Sequence, residues 1–306
     1  TTDENFSEFF IRELTKTQNQ ELKFRGNIKE ISKDDLMKIS FQLEDSPLHL
    51  LNETHDQYIE KIEKTIDFIK EKELKKLVIA RKKKIDFKTI NIADTFLQLM
   101  KSYPSAMVYA FEENGVCWIG AFSELLGKFN PTTCTFETMS LAGTLPVNDS
   151  WTEKEIKEQK PVSDYISNIL HQFSDKIEIS ETYDHISGNI KHLRTDFKTE
   201  IKPEQLDHII SELHPTPAVC GIPKDFCKEA IVKFEKFDRE LYAGYSKIEI
   251  NKTIYYFVNL RCGRFYKNNA ELFVGGGITA LSHPENEWRE TELKSEALLK
   301  NIVITS

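Results

Sequence analysis

Ala106-Met107-Val108-Tyr109-Ala110-Phe111-Glu112-Glu113-Asn114-Gly115-Val116-Cys117-Trp118-Ile119-Gly120-Ala121 holds two β-prone runs around an Asn-Gly pair. Residues 106–111 and 116–121 are rich in branched and aromatic side chains. Glu113-Asn114-Gly115 supplies the positive-φ residues of a tight turn, so the segment spells a β-hairpin. A hairpin pairs its strands antiparallel, and that reading decides the fold class.

Working outward, residues 134–140, 176–182 and 190–197 read as further strands. Residues 245–250, 253–260 and 270–281 follow as three more in antiparallel order. Leu77-Val78-Ile79-Ala80 reads as a buried strand. Helices are predicted over residues 56–73, where Tyr58, Ile62, Ile66 and Ile69 recur at helical spacing, and over 92–100, 203–213, 224–237 and 284–302. One more runs over 152–171, with Thr152 as N-cap and Glu155 at the third position of a capping box. A strict βαβαβ alternation is absent. The pattern therefore predicts an α+β fold with one large sheet or two stacked sheets. Residues 1–55 are polar and weakly patterned and are expected to pad the main domain, residues 56–306.

At 306 residues, 40% of them apolar, the chain can bury a substantial core. Its longest apolar runs are far too short to cross a bilayer. The start lacks the basic and apolar stretches of a secretory signal, so a cytoplasmic protein is expected, and a monomer. A net charge of −8 argues against a nucleic-acid surface. Lys82-Lys83-Lys84 is the one dense basic run, and it reads as a solvated strand end. Cys117, Cys134, Cys220, Cys227 and Cys262 are scattered without a Cys-x-x-Cys pair, which points to reduced, mostly buried thiols.

Two acidic doublets are candidate metal ligands. Glu155 and Glu158 share a helix face at i,i+3, and Glu287 and Glu290 repeat the spacing on another helix. If those faces meet, four carboxylates form an oxygen-only site suited to Mg²⁺. In a chain with 29% charged residues the same spacing also arises on wet helix faces, and spacing alone leaves both readings open. Lys294 shares the face of Glu287 and Glu290, either in a surface ion pair or near an anionic substrate. Gly275-Gly276-Gly277 interrupts a strand; it is either a bulge or a set of backbone donors for a carboxylate. His214, in the stiff run Leu213-His214-Pro215-Thr216-Pro217, is either a substrate donor or a structural hydrogen-bond partner. Lys76 taken alone is an ordinary surface lysine. Glu124 is the single acid in an apolar run from Trp118 to Leu126, where burial favours a general acid.

Together these segments resemble a known family. Lys76-Leu77-Val78-Ile79-Ala80-Arg81, Ile119-Gly120-Ala121-Phe122-Ser123-Glu124-Leu125-Leu126, Leu141-Ala142-Gly143-Thr144 and Gly188-Asn189-Ile190-Lys191-His192-Leu193 come in its order. Leu213-His214-Pro215-Thr216-Pro217-Ala218-Val219, Phe237-Asp238-Arg239-Glu240-Leu241-Tyr242-Ala243-Gly244, Gly275-Gly276-Gly277-Ile278 and Glu287-Trp288-Arg289-Glu290-Thr291-Glu292-Leu293-Lys294 complete the series. From about residue 56 onward the chain resembles the chorismate-utilising enzymes, and among them the isochorismate synthase branch.

The resemblance implies a single α+β domain of two stacked antiparallel β-sheets flanked by helices. It also implies an Mg²⁺-dependent isomerase acting on chorismate, in menaquinone or siderophore biosynthesis. Water adds at C2 while the C4 hydroxyl departs, with Lys76 at the base position and Glu124 at the acid position. Glu158 and Glu290 match the metal ligands, and Glu155 and Glu287 their supporting acids. Tyr242 and Arg261 match positions that bind the enolpyruvyl carboxylate, with Gly275, Gly276 and Gly277 as backbone donors. Gly143, Thr144 and His214 line the ring pocket, beside Lys294. Ala142 stands where aminodeoxychorismate synthases carry lysine. Salicylate synthases share the base and acid and add pyruvate elimination. A chorismate-binding subunit without catalysis is the reading from another class. Phe122 departs from the pattern, since a small residue followed by proline is usual around Ser123.

Overall fold

The Asn-Gly hairpin forms as its sequence predicts. Strands Met107–Glu113 and Val116–Phe122 pair antiparallel, and Asn114 and Gly115 take φ of 51° and 73° at the turn. The computed structural model describes residues 6–12, 21–27, 29–47, 50–188 and 190–304. Its architecture is two antiparallel sheets with flanking helices. The chain divides into two compact units whose segments interleave along the sequence.

The first unit takes residues 1–28, 124–229 and 239–258 and holds the larger sheet. Strand Glu21–Asn27 lies at one edge beside Phe6–Arg12. Next come Tyr245–Ile250, Thr253–Val258, Leu125–Asn130, Thr135–Pro146 and Ile190–Glu200, which is flanked by Ile177–Ile179 and Tyr183–Ser187. The N-terminal segment thus supplies one edge strand of this sheet and the strand next to it, with Phe9 opposite Ile248.

Helix Glu153–Leu170 lies on the neighbouring strands Thr135–Pro146 and Ile190–Glu200. Val162, Ile166, Ile169 and Leu170, spaced at helical intervals, are buried there. Gln159 joins both strands through Ser140 and Thr195. The N-terminus is capped as predicted in one direction: the Glu155 carboxylate accepts from the Thr152 N–H at 3.0 Å.

The second unit takes residues 29–123, 230–238 and 259–306. Its strands run in the order Lys76–Asp86, Asn269–Ile278, Cys262–Phe265, Val116–Phe122 and Met107–Glu113, all antiparallel. Helices His55–Glu71, Ile92–Ser102 and Pro284–Leu299 flank it. Phe87, Leu99, Ile119, Phe265, Leu272 and Leu298 belong to one buried apolar cluster.

Three expectations are corrected here. Lys82-Lys83-Lys84 is no solvated end, because the strand runs through it to Asp86. Lys82 is 4% exposed, 3.8 Å from Glu271, and Lys83 pairs with Glu292 at 2.7 Å. Distant carboxylates therefore let lysine occupy the sheet. Gly275-Gly276-Gly277 does not break its strand either: the three pair in unbroken register with Ala80, Ile79 and Val78. Leu125–Asn130 and Cys262–Phe265 are strands that the sequence reading passed over.

Candidate active site

In the second unit, Lys76 opens the strand Lys76–Asp86 and is 6% exposed. The neighbouring strand brings Gly275–Gly277 alongside it in register. A Cβ on Gly276 would lie 3.2 Å from Glu287 Oε2 and 3.7 Å from Glu290 Oε1. Glycine leaves room there for the Glu287 carboxylate, which a side chain would crowd, and Glu290 lies within ordinary contact. Lys294 Nζ lies 2.8 Å from Glu290 and donates to the Gly275 carbonyl at 2.9 Å. Glu287 is fully buried, whereas Glu290 and Lys294 are partly open.

The helix carrying these acids is anchored to the strand by Arg81. Its Nε donates to Thr291 at 2.9 Å, its Nη2 bonds Glu292, and its guanidinium lies 3.9 Å from the Trp288 ring centroid. Beside them the Tyr58 hydroxyl is fully buried and has no hydrogen-bond partner among the described residues. Burial first, and then the charges of Glu287 and Glu290, push its pKa well above the usual tyrosine range. Arg261 sits at φ 48° just before Cys262–Phe265 and donates from Nη1 to Ser123 Oγ at 3.2 Å. Phe122, next to Ser123, is fully buried against Tyr109 at 5.0 Å between ring centroids. Gly120 makes room for that tyrosine, since a Cβ would lie 2.4 Å from its ring.

In the first unit, Gly143 has φ 69°, a left-handed conformation that favours glycine. A Cβ there would also lie 3.2 Å from Glu155 Cβ, so Gly143-Thr144 and the start of the Glu155 helix lie against each other. Glu155 is 6% exposed and Glu158 is half-buried. His192 joins the group, a residue to which the sequence reading gave no role. Its Nδ1 is 2.9 Å from the Gly143 carbonyl and 3.3 Å from Thr144 Oγ1. A carbonyl only accepts, so Nδ1 donates the proton of that bond. The signal was present in the motif Gly188 to Leu193, on a strand whose residues 190–193 are all buried.

Glu124 is 4% exposed and accepts from Thr216 Oγ1 at 3.2 Å. His214 donates from Nε2 to the Ala243 carbonyl at 2.9 Å, with its ring against Tyr245. That bond commits one ring nitrogen to holding the backbone beside Tyr242. Tyr242 is 5% exposed, 5.7 Å from the guanidinium of fully buried Arg239.

The predicted site residues thus fall into two groups, one in each unit. Lys76, Arg261, Gly275, Gly276, Gly277, Glu287, Glu290 and Lys294 belong to the second unit. Glu124, Gly143, Thr144, Glu155, Glu158, His214 and Tyr242 belong to the first. Among the described residues no three His, Cys, Asp or Glu side chains gather closely enough to hold a metal by themselves. Mg²⁺ does not need that many, because it commonly takes one or two carboxylates and completes its shell with water and substrate oxygens. The cradle at Gly276 offers two carboxylates, one of them fully buried, and hard oxygen donors fit that ion.

A family model described as chorismate binding enzyme matches residues 8–303. The isochorismate synthase MenF of Haemophilus influenzae is 27% identical over 282 residues, covering 87% of this chain and 65% of that protein. The isochorismate synthase DhbC of Bacillus subtilis is 31% identical over 151 residues, covering 48% of this chain and 38% of that protein. The chain spans less than two thirds of the length of either relative. The solved structure of MenF, the menaquinone-specific isochorismate synthase of Escherichia coli, superimposes with a TM-score of 0.77 at 22% identity, over 97% of this chain and 79% of that one. At that identity the likeness is one of fold.

Proposed function

This chain belongs to the chorismate binding enzyme family, and from that premise we propose that it is an isomerase converting chorismate to isochorismate with Mg²⁺. The observation that carries the reading is the Gly276 cradle. Two glutamate carboxylates converge on a glycine strand, one is answered by Lys294, and the adjacent strand begins at a buried lysine.

In this reading Lys76 takes a proton from water as the water oxygen bonds to C2 of the ring. Both ring double bonds shift by one position and the C4–oxygen bond breaks. Glu124 gives its proton to the departing hydroxyl, which leaves as water. One water enters and one leaves, so the product is an isomer of the substrate. Thr216 holds the Glu124 carboxyl in orientation through its hydroxyl. Glu290 and Glu158 are the proposed ligands of Mg²⁺, with Glu287 and Glu155 behind them. Bound there, Mg²⁺ would hold a substrate carboxylate and offset its repulsion from the glutamates. Glu155 suits the supporting role because its carboxylate already accepts from the Thr152 N–H.

Arg261 offers a planar fork for the enolpyruvyl carboxylate, and Tyr242 a hydroxyl. Gly143 and Thr144 shape the ring pocket, with His192 fixing the Gly143 carbonyl from behind. His214 acts by holding the Ala243 backbone beside Tyr242.

Turnover in H₂¹⁸O tests the chemistry directly. The reading requires one ¹⁸O at the C2 hydroxyl of isochorismate. Product without solvent oxygen excludes external water as the nucleophile and removes Lys76 from the base role.

A further inference from the structure

A cavity in the second unit is lined by none of the proposed site residues. Its volume is about 610 Å³, a size suited to a small molecule. Five lysines line it: Lys61, Lys64, Lys82, Lys233 and Lys236. Glu53 and Glu60 are the acids of the lining and Glu271 lies 3.8 Å from Lys82, so the formal balance is five cations against three anions, in a chain whose net charge is −8. The two lining acids are already engaged. Glu53 accepts from Lys61 at 2.6 Å and Glu60 from Lys64 at 2.5 Å.

The cations are layered. Lys82 and Lys61 are buried, with 5% and 9% of their side chains exposed, while Lys64, Lys233 and Lys236 stand open. Lys61 also donates to the Ala80 carbonyl at 2.8 Å, and Glu235 accepts from the Ala80 N–H at 2.6 Å. These bonds fix the floor to the strand Lys76–Asp86. Phe237 supplies an aromatic face, with the Lys82 and Lys61 ammonium groups 5.4 and 5.9 Å from its ring centroid. Phe234 adds a second ring, 5.9 Å from Lys233. Lys82 lies six residues along the strand from Lys76, about 20 Å at strand rise, which sets the cavity floor well apart from the proposed base.

We propose that this cavity binds a small dianion with a flat apolar body, its charges met by the lysines and its ring laid on Phe237. Concave shape and buried cations favour such a molecule over an extended polyanion, which takes an open basic surface.

Titration calorimetry with benzene-1,2-dicarboxylate and with inorganic pyrophosphate, each in saturating chorismate and Mg²⁺, tests this. The dicarboxylate should bind one site with a sub-millimolar Kd, at least tenfold tighter than pyrophosphate. The double variant Lys233→Glu/Lys236→Glu should weaken it at least tenfold with chorismate turnover unchanged. Lys82→Met, which retains volume and removes the floor charge, should weaken it further. Absence of binding, equal affinity for both probes, or displacement by chorismate would each overturn the proposal. So would unchanged affinity in the double variant.

Discussion

Lys294 Nζ lies 2.8 Å from the Glu290 carboxylate, one helical turn away on Pro284–Leu299, and also bonds the Gly275 carbonyl. This pair links the acidic helix to the glycine strand. It also makes Glu290 the carboxylate that shares its charge with a cation, while Glu287 is fully buried beside it. In the proposed reading Glu290 would hold Mg²⁺, with Glu287 as its supporting acid.

Glu290→Gln should therefore lower kcat/KM at least about 100-fold and raise the Mg²⁺ concentration for half-maximal activity. Thermal melting with and without Mg²⁺ gives a readout apart from activity. The wild-type chain gains melting temperature from the ion and the variant does not. Equal gains in both would take Glu290 out of the ligand set.

Gly276→Ala places a methyl 3.2 Å from Glu287 Oε2, and the carboxylate must give way by a few tenths of an ångström. The expected result is about a tenfold rise in the Mg²⁺ requirement with a small change in melting temperature. Unaltered Mg²⁺ dependence would show that the cradle is not where the ion acts.

His55 joins helix His55–Glu71 to helix Pro284–Leu299 through Glu285 at 3.1 Å. Its bonds to Asp56 first, and then to Glu285, raise its pKa above 6.5. A raised folded-state value means the link stabilises fully below about pH 6.5 and fades as pH rises through that higher value. Melting curves of wild type and His55→Gln should differ at pH 6 and converge at pH 9. A constant difference across that range would contradict the assignment.

All five cysteines are free, and Cys117, Cys220, Cys227 and Cys262 are buried, whereas Cys134 is partly exposed. Burial pushes Cys220 up to about 11 and Cys227 to about 12. At pH 8 a thiol-reactive dye should label Cys134 alone within minutes and all five after denaturation. Rapid labelling of a second thiol in the native chain would show an opening that the fold does not contain.

Much of the fold was legible because its strands alternate or run apolar and its helices carry spaced apolar residues. What escaped notice depended on distant partners. Lys82 and Lys83 read as solvent-facing because Glu271 and Glu292 lie far along the chain. Leu125–Asn130 is a six-residue strand that follows Val116–Phe122 after only Ser123 and Glu124, and the two strands belong to different sheets. The boundaries between units fall inside continuous motifs, between Ser123 and Glu124 and within helix Lys224–Phe234, so no linker composition marks them. At the candidate site, residue spacing suggested the glutamate pairs. Only the fold showed that Gly276 makes room for one pair, and that His192 holds the Gly143 carbonyl.

Lys76 is the proposed base of a water-for-hydroxyl exchange. Chromatographic product identification, after incubating wild type and Lys76→Ala with chorismate and Mg²⁺, tests it most directly. Wild type should yield isochorismate only when Mg²⁺ is present, and the variant should lose at least about 100-fold in rate while keeping its melting temperature. Salicylate with pyruvate as products, unconverted chorismate, or full activity in Lys76→Ala would contradict it.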